Sequence, residues 1–143
     1  MRYAYPVVLT PEPDGSAINV SFADVPEALT WADDEVEALE LAQDCLVTAL
    51  HGYVQNGERI PKPSPSKGRP AIPVPPLVAA KLALYTAMRE QGMSEAELAR
   101  RLGVREAVMQ AMLHLKRRTP IGRLEQALAQ LGVQLEVTAR NAA

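Results

Sequence analysis

MSEAELARRLGVREAVMQAMLHLKRR, Met93 to Arg118, is the stretch on which the reading of the fold turns. Ser94 followed three residues later by Glu97 is a capping box, so a helix starts here. Ala99 is small enough to let a second helix cross closely. Gly103, four positions on, suits a reversal that needs a left-handed backbone. Leu98, Leu102, Val104, Met109 and Met112 are apolar at the offsets a core around that turn requires. The spacing predicts a helix-turn-helix, whose second helix enters the major groove of duplex DNA. On that template the second helix starts at Arg105 and exposes Arg105, Glu106, Ala107, Gln110, Ala111 and His114. Gln110 suits adenine, Glu106 cytosine, and Arg105 guanine or phosphate. Lys116, Arg117 and Arg118 suit phosphate. A helical hairpin with solvated arginines is the alternative, and the basic trio also suits a helix C-terminal dipole. Two features depart from the template. Arg105 stands where a Ser or Thr cap is usual, and Glu106 repels phosphate unless it meets a cytosine.

On either side the pattern stays helical. Leu77 to Gln91 reads as a helix with Leu82, Tyr85 and Met88 facing inward and Gly92 at its end. Thr119 followed by Pro120 reads as the cap and first position of another helix. Its apolar face is Leu124, Leu128 and Leu131, and Gly132 stops it. VQLEVT, Val133 to Thr138, alternates apolar and polar residues, which predicts a strand. Its edge would need a partner, either its own copy in a second chain or Ala71–Val74. A dimer also suits a reader of half-sites about 34 Å apart.

Upstream lies PKPSPSKGRPAIPVPP, Pro61 to Pro76, with seven prolines in sixteen residues. Proline fixes φ and donates no hydrogen bond, so this reads as a semi-rigid connector with a possible edge strand at Ala71–Val74. Before it, YAYPVVL and INVSF read as strands joined through the Asp14-Gly15 turn, and VPEALTW as a short third. A helix follows from about Asp34 to Asn56. Asp34 and Glu37 have capping-box spacing, and Val36, Leu39, Leu46, Leu50 and Tyr53 form its expected stripe. Arg59 to Pro63 reads as a last strand. The order is βββα(β), an α+β module.

Charge divides at the same connector. Residues 1–70 hold five Lys/Arg against eleven Asp/Glu, or −6, and residues 71–143 hold ten against six, or +4. The formal net charge of −2 therefore hides a bipolar chain, which implies two unlike partners. Cys45 is the single cysteine, so no internal disulfide is possible. No apolar run reaches a membrane span and no signal sequence is evident, so a soluble cytoplasmic protein is expected.

The residues from Tyr5 to Leu50, YPVVLTPEPDGSAINVSFADVPEALTWADDEVEALELAQDCLVTAL, resemble the HicB-type antitoxins of bacterial toxin–antitoxin pairs. The likeness lies in the strand, Asp-Gly turn and strand, the segment DVPEALT (Asp24 to Thr30) and the acidic helix start. ERIPKPSP, Glu58 to Pro65, is similar to the family's exit from that helix. The second half is similar to the Cro/phage-repressor helix-turn-helix of one family branch. The resemblance implies a truncated ribonuclease-H-like domain over 1–63 that binds a HicA-type toxin. It also implies operator binding by the second half. The proline-rich composition sets a linker over 64–76, and the helix-turn-helix domain over 77–143 is expected to dimerise for the edge and half-site reasons above. The HicA-type toxin would be a small basic mRNA-cleaving protein, and the acidic half would compete with RNA for it.

Candidate toxin contacts are Trp31, Asp33, Asp34, Glu35 and Glu37. For Trp31 the alternative is packing on the sheet, and for the carboxylates a helix-start role alone. No catalytic residue, cofactor or metal site is expected. Asp14-Gly15-Ser16 superficially resembles the first ribonuclease-H carboxylate motif, but Asp-Gly belongs in a hairpin for backbone reasons. Asp24, Glu27, Asp33 and Asp34 read as loop and helix-start charges. Cys45 reads as near-core, and His51 and His114 lie in different modules, so no zinc cluster forms. The competing readings are a ligand-sensing regulator with a helix-turn-helix and, from the enzymes, a Mg²⁺-dependent nuclease.

Overall fold

Asp14 and Gly15 fold the chain back on itself. In a computed structural model that describes residues 2–141, Gly15 takes φ 75° and Asp14 Oδ1 accepts the Ser16 N–H at 2.9 Å. The Glu12 N–H donates to the Ala17 carbonyl at 2.9 Å and closes the hairpin. Of the first three strands, β1 is Ala4–Pro6, β2 is Val8–Pro11 and β3 is Ile18–Ser21, with this turn between the last two. β4, Leu29–Ala32, pairs with the other side of β3, giving an antiparallel sheet in the order β2-β3-β4. Leu9 faces Val20 and Val20 faces Thr30 across it. Along β3, Val20 is buried while Asn19 points to water, the two-residue period expected of a sheet with one wet face.

YAYPVVL, expected as one strand, is two. Pro6 has no N–H to give, and the Val7 N–H goes to the Pro70 carbonyl at 2.9 Å instead of a ladder. β1 therefore belongs to a second sheet, where it pairs antiparallel with β5, Ala71–Pro73, Tyr5 facing Ile72. The short strand foreseen at Ala71–Val74 thus forms. The strand expected over Arg59 to Pro63 does not, because Pro61, Pro63 and Pro65 deny it alternate donors. Ile60 is buried there, and the Tyr5 hydroxyl donates to the Pro61 carbonyl at 2.8 Å. The order is four strands, a helix and a strand rather than βββα(β).

The helix is α1, Glu35–Gln55, with Asp34 as N-cap, its Oδ1 accepting the Glu37 N–H at 2.8 Å. Its buried residues are Ala38, Ala42, Leu46, Val47 and Leu50. The expected stripe is shifted: Leu46 and Leu50 are buried, Leu39 and Tyr53 only half so, and Val36 is 71 % exposed. Ala32, Ala38 and Ala42 are fully buried, so α1 packs on β3 and β4 through its small residues and turns Val36 outward.

The chain forms two compact units that divide between Ala79 and Ala80. The second is helical. α2 is Pro76–Gln91, α3 is Glu95–Leu102, α4 is Glu106–Leu113 and α5 is Ile121–Gln130. Leu82, Leu98, Met109, Met112, Leu124 and Leu128 are fully buried and make its core. Thr119 is not the cap of α5. Pro120 holds that position, and the buried Thr119 hydroxyl donates to the Ala111 carbonyl at 3.3 Å. The terminal strand expected over Val133 to Thr138 is also not formed in the single chain. A strand exists only against a partner, and β5 is taken up by β1. Val133 and Leu135 are half-buried and Val137 is 72 % exposed. No helix among the described residues is long and apolar enough to cross a membrane.

Candidate functional site

Two surfaces, one on each unit, collect the residues the sequence singles out. The first lies where β4 runs into α1. β4 alternates exposed Leu29, half-buried Thr30, exposed Trp31 and buried Ala32, so every second side chain faces water. Leu29 is 67 % exposed and Trp31 61 %. At that exposure most of the Trp31 side chain is not covered by the sheet. Asp33 and Asp34 bridge β4 to α1, and Glu35 and Glu37 sit in the first helical turn; all four are exposed. Trp31 thus stands beside four carboxylates gathered by one strand-to-helix junction. Asp34 is held by its capping bond, which fixes the start of α1.

Next to this junction a shallow groove of about 310 Å³ runs between β4 and α1. Glu27, Leu29 and Thr30 form one wall, and Leu41, Asp44, Cys45, Thr48 and Ala49 the other. Cys45 is half-buried there, close to its expected place near the core. Glu27 Oε2 accepts the Tyr53 hydroxyl at 2.7 Å. Desolvation, then that bond, pushes the Tyr53 phenol up to about 12.

The carboxylates do not form a metal centre. Asp14 caps its own turn, Asp24 accepts both the N–H and the hydroxyl of Ser64, Glu27 holds Tyr53, and Asp34 caps α1. Among the described residues no three His, Cys, Asp or Glu side chains converge on a cation position.

The second surface is built on α3 and α4. Gly103 ends α3 at φ 67° and ψ 32°, and the Val104 N–H closes on the Ala99 carbonyl at 3.0 Å. Ser94 caps α3 through the Glu97 N–H at 3.1 Å. Glu97 also takes hydrogen bonds from Arg100 and Arg101, which hold its carboxyl below the usual range. Leu98, Ala99, Met109 and Met112 are buried behind the turn, and Leu102 and Val104 half-buried. Arg105 is the N-cap of α4, in extended conformation and without a side-chain capping bond, so the helix begins one residue later than expected. Arg105, Glu106, Ala107 and Gln110 are exposed on one end and side of α4. Ala111 and His114 are only half-exposed. Burial first, then Arg117 and Lys81, push His114 below its ordinary pKa, and its Nδ1 accepts the Lys116 N–H at 3.2 Å. Lys116, Arg117 and Arg118 are exposed in the turn that follows.

The residue that organises this end of α4 is one the sequence does not single out. Lys81 of α2 is completely buried, and its Nζ donates to the carbonyls of Ala111, His114 and Arg117 at 2.8, 2.7 and 2.6 Å. All three ammonium protons are used. The cation at the C-terminal dipole of α4 is therefore Lys81, and the exposed trio is not needed for that task. Burial, and after it Arg117, push Lys81 down to about 8, so it remains an ammonium at neutral pH. A lysine inside the apolar run VAAKLAL, Val78 to Leu84, is the signal that could have found it.

The two surfaces differ in sign. The first unit carries the −6 and the second the +4, since residues 71–79 hold no charged side chain.

Residues 4–83 match the family model described as the HicB-like antitoxin of bacterial toxin-antitoxin systems. The chain is 43 % identical over 135 residues to Antitoxin HicB 2 of Photorhabdus laumondii subsp. laumondii, covering 94 % of this chain and 95 % of that one. It is 40 % identical over 134 residues to Antitoxin HicB of Escherichia coli K12, covering 93 % and 96 %. With Antitoxin HicB of Pseudomonas fluorescens the identity is 34 % over 134 residues, covering 92 % and 90 %.

Proposed function

The chain belongs to the HicB-like antitoxin family of bacterial toxin–antitoxin systems, and we propose that it works by grasping two unlike macromolecules with its two units. The first unit binds a small basic HicA-type toxin and blocks its cleavage of mRNA. The second binds operator DNA and represses the operon that encodes both proteins. Neither task requires catalysis by this chain.

The observation that carries this reading is the division of charge between the units, with an exposed tryptophan at the acidic junction. A unit of net charge −6 attracts a protein that must itself bind RNA, and steering between opposite charges speeds capture. Trp31 supplies the apolar anchor that most interface energies depend on. Asp33, Asp34, Glu35 and Glu37 supply the charge beside it. In the second unit, Arg105, Glu106, Ala107, Gln110 and His114 line the helix that would enter the major groove, and Lys116, Arg117 and Arg118 would hold phosphates. The α3–α4 geometry, with left-handed Gly103 between an alanine-bearing helix and α4, supports a helix-turn-helix. A truncated ribonuclease-H-like fold suits the first unit, where a three-stranded antiparallel sheet is backed by one helix. Two half-sites call for two copies, and the extended tail Val133 to Val137 suits pairing with its own copy.

Co-expression tests both halves. This reading expects a small basic protein to be encoded beside this chain, and cells producing it should grow only when this chain is also produced. A promoter fusion should be silenced by the full chain and released by changing Gln110 to Ala together with Arg105 to Ala. Growth arrest that persists despite equal amounts of this chain would refute the antitoxin reading.

A further inference from the structure

Among the described residues, β4 is the one edge strand in the first unit that carries no protection. β1, β2 and β5 each end on a proline, at Pro6, Pro11 and Pro73. Proline on a sheet edge removes donors and discourages further pairing. β4, Leu-Thr-Trp-Ala, holds no proline, no lysine and no bulge, and it pairs only with β3. Among the described residues its outward backbone groups take part in no other backbone hydrogen bond. An undefended edge of this kind invites an additional strand, and proteins keep such edges where pairing is wanted.

The side chains along the same edge fit that use. Leu29 and Trp31, two residues apart, are exposed on the sheet face opposite to buried Ala32. The groove beside the strand is walled by Leu29, Leu41 and Ala49, with the carboxylates of Glu27 and Asp44 in its lining. The strand then leads directly into Asp33, Asp34, Glu35 and Glu37. Main-chain pairing would come from the edge, apolar contact from Leu29 and Trp31, and charge from both ends.

Resting on the antitoxin reading, we propose that the first unit captures its basic partner by strand addition. An edge strand of that partner pairs with β4, with apolar side chains at alternate positions against Leu29 and Trp31. Its flanking lysines or arginines lie against Asp33 to Glu37 and against Glu27 and Asp44. The neutralising contact is thus a continued β-sheet, and the acidic residues select for a cationic strand over other edges. This also explains why a strongly apolar edge is tolerated: a chain of like sequence would bring acidic flanks and be repelled.

The test is amide exchange by NMR on the isotope-labelled full chain, free and saturated with a catalytically inactive form of the unlabelled basic protein encoded beside it. Strand addition predicts that amides at alternate positions of Leu29–Ala32 slow by roughly a hundredfold or more in the complex, as ladder bonds form. The double variant Leu29→Lys, Trp31→Lys should bind at least about thirtyfold more weakly, the scale of losing an interface anchor. Both positions are exposed, so an unchanged thermal midpoint shows that the variant is folded. A complex that forms with unchanged exchange across β4, or a double variant that binds as tightly as the native chain, overturns strand addition and leaves the antitoxin reading standing. No complex at low ionic strength overturns both.

Discussion

Replacing Lys81 with Met separates two opposing effects at the end of α4. Methionine fills nearly the same volume, so the change removes a buried charge and its donors without leaving a large cavity. Of the three carbonyls that Lys81 serves, two keep another donor. Ala111 still receives the Thr119 hydroxyl at 3.3 Å, and His114 still receives the Arg117 N–H at 3.1 Å. The Arg117 carbonyl keeps none among the described residues. One orphaned carbonyl at a part-buried contact costs about 1–3 kcal/mol, and each weakened one about 0.5–1 kcal/mol more. Against this stands relief from burying an ammonium, whose depressed pKa of about 8 shows that burial opposes its charge. The orphaned acceptors should win by about 2 kcal/mol, a fall in midpoint of roughly 8–16 °C for a unit of this size. Calorimetry of the full chain gives the magnitude. Trp31, the single tryptophan, lies in the first unit, so its fluorescence transition should stay in place while the helical transition moves. A variant as stable as the native chain would refute the reasoning and show that desolvation outweighs the three hydrogen bonds.

Further outcomes follow from the same structure. Gly103→Ala should lower stability by about 1–2 kcal/mol in urea unfolding, from the left-handed backbone alone, since a Cβ there meets nothing within 4 Å. Changing Lys116, Arg117 and Arg118 together to Gln should flatten the dependence of DNA affinity on salt, by roughly 0.9 in the log–log slope for each phosphate no longer neutralised. Affinity measured on several duplexes should drop evenly, whereas Gln110→Ala should narrow the gap between operator and random DNA. Tyr5 and Tyr53 have folded pKa values raised above the ordinary phenol, mainly by desolvation. Their contribution to stability is complete below about pH 10 and is lost as pH rises beyond it. Alkaline unfolding followed by phenolate absorbance should therefore be shallower in Tyr5→Phe, which should also be about 1 kcal/mol less stable at neutral pH without its bond to Pro61.

What the sequence made legible was local. The Asp14-Gly15 turn, the Asp34 and Ser94 caps and the Gly103 reversal all rest on chemistry within four residues, and all are present. Relations across the chain were less readable. Val7 seeks Pro70, sixty-odd residues away, and splits what reads as one strand. The buried face of α1 departs from its bulky periodicity because the helix packs through Ala38 and Ala42. Thr119 has the sequence context of a cap, but its hydroxyl is drawn to Ala111. Of the candidate site, the acidic junction and the basic turn stand out by composition. Leu29, like Lys81, gives no such signal: the exposure of one apolar residue in a strand, and the three acceptors around one lysine in a helix, appear only in the fold. Trp31 is readable either way in the sequence, and the fold shows it exposed.

The proposed function expects a small basic HicA-type toxin encoded beside this chain, and its cleavage of RNA, measured as this chain is titrated in, is the most direct test. The two-handed antitoxin account predicts that cleavage falls linearly and stops near equimolar amounts, and that raising salt weakens the block. Cleavage that continues at an unchanged rate in excess of this chain at low ionic strength would contradict it.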